Sequence, residues 1–313
     1  MSEPSIRVAV VGVGHVGRHH ARILDSLPDV DLVATVDLDE RRALEASAET
    51  SATAETQVAA ITGRVDAVTV AVPTQAHLAV VRPLLEAGVP VLVEKPMAKT
   101  VAEADAMLEA ASRTGTCLAV GHTERFNPAL ATVAPLVESP RFIEVHRLGS
   151  FSARSLDIDV VFDLMIHDLD VILSMLGSDV ASVEAVGVPI LSDRVDIANA
   201  RLRFENGCIA NVTASRISRD RVRKMRFFQA GAYLSVDYAA QRAEAWRIVE
   251  GEGDEPVIEG GPLEVIGGEP LERELTDFIL AVRHGRPPGV PGEHGRRALA
   301  LAERITARME HSL

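Results

Sequence analysis

Three side chains in this sequence have the types and spacing needed for acid–base chemistry on a hydroxyl group. Lys95 follows an apolar stretch and precedes Pro96, whose ring restricts the backbone beside it. His167 lies four residues after Asp163 in a helical pattern, so a carboxylate one turn away can orient the ring and stabilise its protonated form. Histidine accepts protons near neutral pH, and a lysine stabilises a developing alkoxide. The three residues therefore indicate proton abstraction from an alcohol.

Both motifs also have a structural interpretation without chemistry. An isolated lysine at the end of a strand is often only a surface group. Asp163, His167 and Asp170 fall at i, i+4 and i+7 of a predicted helix over Val160–Leu176, and such a stripe also suits a solvated helix face.

A glycine-rich turn near the N-terminus predicts a dinucleotide site. The apolar strand Ile6–Val11 is followed by Gly12, Gly14 and Gly17 in G-x-G-x-x-G spacing, which opens a helix over Val16–Leu27. The first glycine permits the tight turn, the second lets the backbone approach a pyrophosphate, and the third allows close packing of helix on strand. The helix N-terminus then offers unpaired N–H groups to the phosphates.

An acidic residue after the second strand favours NAD over NADP. The strand Leu32–Val36 ends in Asp37, whose carboxylate can accept hydrogen bonds from both ribose hydroxyls and would repel a 2′-phosphate. The next residue, Leu38, cannot pair with such a phosphate. Arg41 and Arg42 follow one turn later and soften this preference.

Alternating strands and helices position these groups in the first part of the chain. The predicted strands Asp66–Val72, Val89–Val93 and Thr116–Val120 alternate with predicted helices Asp39–Ala48, Ala76–Glu86 and Thr100–Arg113. This pattern predicts an α/β Rossmann domain with a doubly wound parallel sheet over residues 1–122. Lys95 would then lie at the carboxyl end of a strand, where ligands of such sheets bind.

The remainder, residues 123–313, is predicted to be an α+β domain with a large, mainly antiparallel sheet. Glu205–Gly207 indicates a hairpin turn, and Glu250–Gly268 is predicted to be an exposed loop because it is rich in Gly, Glu and Pro. The expected strands are Phe142–Arg147, Ser182–Val188, Ile197–Phe204, Cys208–Ser215, Met225–Gln229, Tyr233–Asp237 and Ala243–Val249, with closing helices Leu271–His284 and Gly295–Glu310.

Composition limits the classes of partner. The 313 residues are 47% hydrophobic and 25% charged, as in ordinary globular proteins, and the net charge of −13 argues against binding to nucleic acid or to anionic membranes. Cys117 and Cys208 lack metal-ligand spacing and are expected to be free thiols, so no metal is predicted. The polar N-terminus and the absence of a membrane-spanning stretch predict a cytoplasmic protein.

The glycine turn, Glu94-Lys95-Pro96 and Asp163-x-x-x-His167, in this order, resemble the Gfo/Idh/MocA family of NAD(P)-dependent sugar and cyclitol oxidoreductases. The resemblance implies that Lys95, Asp163 and His167 contact the reacting carbinol, with His167 as the general base. It also implies a homodimer or homotetramer. The cofactor contacts expected from the turn and from the resemblance together are Gly12, Gly14, His15, Val16, Gly17, Asp37, Val72, Pro73, Thr74, His77, Glu94, Lys95 and Gly121.

A narrower resemblance concerns the substrate. The strings Gly121–Pro128, Asp163–Asp168, Ile197–Arg201 and Asn211–Arg216 are similar to a branch of this family that oxidises the C3 hydroxyl of UDP-N-acetylglucosamine to a keto-sugar, a precursor for lipid A. Dehydrogenation of a free sugar, an inositol or a sugar phosphate stays open, as does a non-catalytic NAD-responsive regulator.

Candidate substrate contacts follow the last strand of the first domain. Glu124, Arg125 and Asn127 are expected to line the substrate site together with the three residues of the carbinol chemistry. The substrate diphosphate needs a positive site, and the run Arg216–Arg226, with Arg147 and Arg154 upstream, is the densest basic segment. A basic hairpin or an oligomer contact explains that run equally well.

Overall fold

The computed structural model describes residues 4–150, 158–250 and 256–310, which form two compact units. The first unit contains the chain through Thr123 together with Leu271–Arg296, and the second contains Glu124–Pro270 and the chain from Arg297 onwards. The elements before Thr123 are β1 (Ile6–Val11), α1 (His15–Ser26), β2 (Val30–Val36), α2 (Glu40–Ala48), β3 (Thr53–Glu55), β4 (Ala67–Val70), α3 (His77–Glu86), β5 (Val91–Glu94), α4 (Val101–Thr114) and β6 (Leu118–Gly121).

The described strands of the first unit form a six-stranded parallel sheet in the order β3-β2-β1-β4-β5-β6. This is the doubly wound order in which β1 and β4 flank the point where the winding reverses. The strands are almost continuously apolar because helices cover both faces of such a sheet, and Val8 and Val10 are fully buried. The predicted Rossmann sheet is confirmed.

The second unit is built on a mainly antiparallel sheet, as predicted. Its described strands form an eight-stranded sheet in the order β14-β13-β12-β11-β7-β10-β9-β8, in which β7 and β10 are the parallel pair. Its elements are α5 (Pro128–Val133), β7 (Phe142–Leu148), α6 (Ile166–Leu176), β8 (Val180–Val188), β9 (Ile197–Phe204), β10 (Ile209–Ser215), β11 (Val222–Gln229), β12 (Ala232–Asp237), β13 (Arg242–Glu250) and β14 (Pro256–Leu263).

Two C-terminal helices, α7 (Pro270–His284) and α8 (Gly292–Glu310), complete the chain. The expected second domain ran without interruption over residues 123–313, whereas Leu271–Arg296 belongs to the first unit. The physical reason is apolar packing, since Leu275, Phe278 and Ile279 of α7 are buried in the same core as Val8 and Val10. Single turns of 3₁₀ helix occur at Val58–Ile61, Thr74–Ala76, Thr123–Phe126 and Ala134–Leu136.

Two local predictions were wrong. The expected loop over Glu250–Gly268 contains β14, an edge strand that pairs with β13 from Glu250↔Pro256 to Ala243↔Leu263. An edge strand tolerates proline and glycine, so the abundance of these residues did not exclude a strand here. The single helix expected over Val160–Leu176 begins with a π-helical turn, Val161–Met165, before α6.

Within the described part of the chain, the structure has no helix long and apolar enough to cross a membrane. The same residues contain no group of three or more His, Cys, Asp or Glu side chains that could hold a metal ion.

Candidate functional site

The three glycines of the turn between β1 and α1 differ in how closely other protein atoms approach them. Gly12 has a φ of +86°, and a Cβ there would lie 2.6 Å from the Val72 nitrogen. A Cβ on Gly17 would lie 1.8 Å from the Gly12 carbonyl oxygen, so this position admits no side chain. A Cβ on Gly14 would meet no protein atom within 4 Å. Packing of the protein therefore requires Gly12 and Gly17, while the space beside Gly14 is left to a ligand.

The start of α1 is suited to an anion. Its N-cap, Gly14, has no side chain to satisfy the first backbone N–H groups, and the first turn carries no acidic residue. Asp37 fixes the turn from the side, because its Oδ2 accepts a hydrogen bond of 3.0 Å from the Val13 N–H. Its Oδ1 accepts a second bond of 3.0 Å from the Asp39 N–H. Each oxygen keeps a lone pair for a ribose hydroxyl.

A cavity of about 630 Å³ opens beside the same turn. The backbone of Val13 and Gly14 lines it, and so do the cationic side chains of Arg22 and Arg42. His15 and Val16, expected cofactor contacts, are exposed in the first turn of α1. Open space at Gly14, uncapped N–H groups and nearby cations fit the pyrophosphate of a dinucleotide.

The carboxylate of Glu94, whose side chain is 13% exposed, connects three elements of the first unit. Its Oε1 lies 3.1 Å from Nε2 of His20 on α1, and its Oε2 accepts a bond of 3.2 Å from the Lys95 N–H. On β6, a Cβ at Gly121 would lie 2.8 Å from Glu94 Oε1, so a side chain there would displace the carboxylate. Burial alone would raise the pKa of Glu94, but the hydrogen bond and charge of His20 and the charge of Lys95 hold this pKa below its usual value. Glu94 is thus a carboxylate that anchors the backbone of Lys95.

His77 holds the two loops next to that carboxylate. Its ring is 1% exposed, with Nε2 2.9 Å from the Val72 carbonyl oxygen and Nδ1 3.1 and 3.2 Å from those of Pro96 and Met97. Burial lowers the pKa of His77 below 6.5, against the pull of these carbonyls and of Glu94. The expected cofactor contacts Val72, Pro73 and Thr74 form the loop that His77 holds.

In the second unit, Asp163 lies in the π-helical turn and His167 in the first turn of α6. Both side chains are half-buried. Asp170, predicted on the same stripe, is instead 1% exposed and pairs with Arg125 at 3.4 Å, so the solvated-stripe interpretation does not hold for it. π-turns inside helices occur often at functional sites, because the extra residue redirects side chains.

A buried ionic network holds most of the other predicted substrate contacts. Arg147 donates to both oxygens of Asp168 at 2.6 and 3.0 Å and to Glu124 Oε1 at 2.9 Å. Burial opposes a charged guanidinium, but Asp168 and Glu124 hold the pKa of Arg147 above its usual value. The Asn127 amide donates to Glu124 at 3.2 Å and to the Tyr238 carbonyl at 3.1 Å. The polar groups of Glu124, Asn127 and Arg147 therefore form hydrogen bonds mainly within this network.

Asp163 lines a second cavity, of about 370 Å³, formed within the second unit. Among the described residues its lining is strongly cationic, with the charged residues Asp163, Arg147, Arg216, Arg221 and Arg223. Arg154, the other expected cation, lies outside the described residues. The structure thus brings Arg147 and part of the basic run to the cavity of a predicted catalytic residue, as the diphosphate interpretation of that run requires.

The chain is similar to known proteins in both sequence and structure. Residues 6–122 match a family described as an oxidoreductase family with an NAD-binding Rossmann fold, and residues 141–232 match the GFO/IDH/MocA C-terminal domain. A UDP-N-acetylglucosamine 3-dehydrogenase from Acidithiobacillus ferrooxidans is 38% identical over 97% of both chains. A myo-inositol dehydrogenase from Streptomyces leeuwenhoekii is 34% identical over 67% of this chain and 69% of its own.

Solved structures agree. A structure of the UDP-N-acetylglucosamine 3-dehydrogenase from Acidithiobacillus ferrooxidans superposes with a TM-score of 0.92, at 36% identity and covering 99% of both chains. A levoglucosan dehydrogenase in complex with NADH has a TM-score of 0.86 at 17% identity, which shows the shared fold.

The glycine turn allows a test that separates folding from ligand binding. We expect Gly17→Ala to lower the unfolding midpoint by several degrees, because its Cβ would overlap the Gly12 carbonyl and overpacking costs about 1–3 kcal/mol. Gly14→Ala should unfold like the wild type, since its Cβ has open space, but should bind NAD more weakly. Thermal unfolding and calorimetric titration with NAD measure the two effects. Equal unfolding midpoints for both variants would contradict the steric assignment.

His77 should make stability depend on pH. Its folded-state pKa lies below 6.5, so near and below that pH the unfolded chain binds a proton that the folded protein does not. The free energy of unfolding should therefore fall as the pH falls from 7.5 to 5.5, by at most about 1.4 kcal/mol per pH unit from this group. Urea unfolding should show a shallower pH slope for His77→Gln than for the wild type. His284→Gln, at an exposed histidine, is the control, and parallel slopes for wild type and His77→Gln would refute the assignment.

Proposed function

The chain belongs to the GFO/IDH/MocA oxidoreductase family, and we propose that it is an NAD-dependent dehydrogenase of a nucleotide sugar. The proposed reaction oxidises the C3 hydroxyl of UDP-N-acetylglucosamine to a ketone, which would serve as a precursor of an aminated sugar for lipid A. The UDP-N-acetylglucosamine 3-dehydrogenase is 38% identical over 97% of the chain, whereas a myo-inositol 2-dehydrogenase from Thermotoga maritima, which matches 95% of the chain, is only 27% identical.

NAD rather than NADP is the proposed cofactor because of the charges around Asp37. One carboxylate oxygen of Asp37 accepts a hydrogen bond from the Val13 N–H in the glycine turn and the other accepts one from the Asp39 N–H, so a negative charge is fixed where it disfavours a 2′-phosphate. The two arginines that could offset this charge are engaged on their own helix. Arg41 pairs with Glu45 at 3.4 Å and Arg42 with Asp39 at 3.5 Å. When bound, NAD supplies the acceptor for the hydride.

The residues of this chain supply the proton chemistry and the charge. We assign His167 to accept the proton of the substrate hydroxyl and Asp163 to orient its ring and stabilise the imidazolium. Lys95 is assigned to stabilise the developing alkoxide, and the Glu94 carboxylate beside its backbone would keep it in place.

One observation carries the substrate class. In a protein of net charge −13, Asp163 lines a cavity whose other charged lining residues, among those described, are four arginines; Arg147 and Arg216 are paired with carboxylates, and Arg221 and Arg223 are not. Such a local excess of cations favours binding of an anionic substrate over a neutral inositol or a free sugar.

Substrate selection is tested by following NADH absorbance with UDP-N-acetylglucosamine, UDP-glucose, N-acetylglucosamine, myo-inositol and a sugar phosphate. Each assay is repeated with 2-oxoglutarate, in case tightly bound NADH must be reoxidised, and with NADP in place of NAD. We expect turnover with UDP-N-acetylglucosamine and NAD. Turnover with myo-inositol or a free sugar alone would refute the nucleotide-sugar proposal, and NAD binding without any turnover would favour a regulator.

The catalytic assignments predict a separation of turnover from cofactor binding. His167→Ala and Lys95→Ala should each reduce kcat by about 10²–10⁴-fold, the usual contribution of a general base or a charge stabiliser. NAD should still bind to both variants, because the glycine turn and Asp37 are unchanged, although Lys95→Ala also removes one expected cofactor contact. His284→Ala and Lys99→Ala, at exposed residues of the same types, serve as controls. Near wild-type kcat in either active-site variant would remove that residue from the mechanism.

A further inference from the structure

The four arginines around the Asp163 cavity differ in how their charges are balanced. Arg147 is bound by Asp168 and Glu124, as described above. Arg216 donates from Nε to Asp196 at 2.8 Å and from a terminal nitrogen to the Ile158 carbonyl at 2.8 Å. These two guanidinium groups are buried, at 4% and 5% exposure, and carboxylates of the protein neutralise them.

The other two cations, Arg221 and Arg223, are exposed and lack such neutralisation. Arg221 donates to the Ser150 hydroxyl at 3.3 Å. Within the described residues, neither Arg221 nor Arg223 forms an ion pair with a carboxylate. Among the described residues, the cavity therefore holds two arginines that form no ion pair with a carboxylate, beside a residue of the proposed carbinol chemistry.

The register of the sheet makes this excess of charge more pronounced. Arg223 on β11 lies directly opposite Arg147 on β7, and like charges in this position destabilise an antiparallel pair. Arg223 also has the same strand parity as the buried Met225 and Phe227, so it continues the core-facing side of β11 to the point where the core ends. A cation in this place has no structural benefit that the described contacts reveal, but it can bind an anion in the cavity.

We propose that Arg221 and Arg223 bind the diphosphate of the nucleotide sugar. This inference rests on the proposed function, because it assumes that the carbinol of the same substrate lies near Asp163. Two guanidinium groups match the two negative charges of the diphosphate, and arginine suits phosphate because its planar fork donates two parallel hydrogen bonds. Two other arginines of the basic run have carboxylate partners, since Arg216 is bound to Asp196 and Arg226 to Glu144.

The test compares Arg221→Gln, Arg223→Gln and the double variant with the wild type. Calorimetric titration with UDP in the presence of NAD measures Kd, and NADH absorbance gives KM and kcat for UDP-N-acetylglucosamine. Each single variant should raise Kd and KM by about tenfold to a hundredfold, as expected for loss of a charge-assisted hydrogen bond, with a smaller change in kcat. Arg223→Lys should fall between the wild type and Arg223→Gln.

Arg219→Gln is the matched control, because Arg219 is an exposed arginine of the same run and does not line the cavity. It should leave Kd and KM within about twofold of the wild type, whereas a generic loss of positive charge would affect all three positions equally. Inorganic pyrophosphate, titrated as a second probe, should compete with UDP for binding to the wild type. It should no longer do so in the double variant. Unchanged unfolding midpoints confirm that the variants fold.

Failure of the inference is distinguishable from failure of the proposed function. If the wild type oxidises UDP-N-acetylglucosamine and the double variant keeps its KM and its Kd for UDP, the diphosphate site is wrong and the function stands. If the wild type neither binds UDP nor oxidises a UDP-sugar, both are wrong. Equal effects of Arg219→Gln and Arg223→Gln would also overturn the site.

Discussion

The first unit depends on one largely buried charge, the carboxylate of Glu94. It can lie at the end of β5 because Gly121 on the neighbouring strand leaves room for it and because His20 on α1 and the Lys95 N–H share its charge. A buried carboxylate without such partners would cost several kcal/mol. Helix α1, the end of β5 and β6 therefore meet at one group, which also accepts a hydrogen bond from the Lys95 N–H.

A second buried ionic network has the same role in the other unit. Arg147 and Asp168 satisfy each other across β7 and α6, and Glu124 and Asn127 extend the network to the segment before α5. The segment that the sequence marked as substrate-binding is thus held by the helix that carries Asp163 and His167. Breaking such a network by removing one partner leaves an uncompensated buried charge, so these residues act mainly by positioning.

The fold was largely predictable because its signals are local. The apolar strands, the glycine turn and the hairpin at Glu205–Gly207 each indicate structure within a few residues, and Thr100 caps α4 by accepting a hydrogen bond from the Glu103 N–H. The association of α7 with the first unit was not predictable, because it depends on contacts between residues more than 200 positions apart. β14 was missed because its glycines and prolines are tolerated only at an edge.

The sequence indicated the residue types of the candidate site, but not which residues form hydrogen bonds and ion pairs with them. Residue type and spacing indicated Lys95, Asp163 and His167, but the carboxylates that neutralise Arg147 and Arg216 lie far away in the sequence. Only strand register distinguishes Arg223, opposite Arg147, from the other arginines of the same run. The hydrogen bonds of His77 also depend on two loops whose approach no sequence pattern reports.

The glycine turn has a consequence for how this family can diversify. Gly12 and Gly17 are required because protein atoms lie too close for a side chain, whereas no such contact in the described chain requires glycine at position 14. The requirement of the fold and the requirement of the ligand are thus carried by different residues of one short motif. A lineage could therefore lose its cofactor through a single substitution at the middle glycine and keep the scaffold, free to evolve into a sensor or a binding protein.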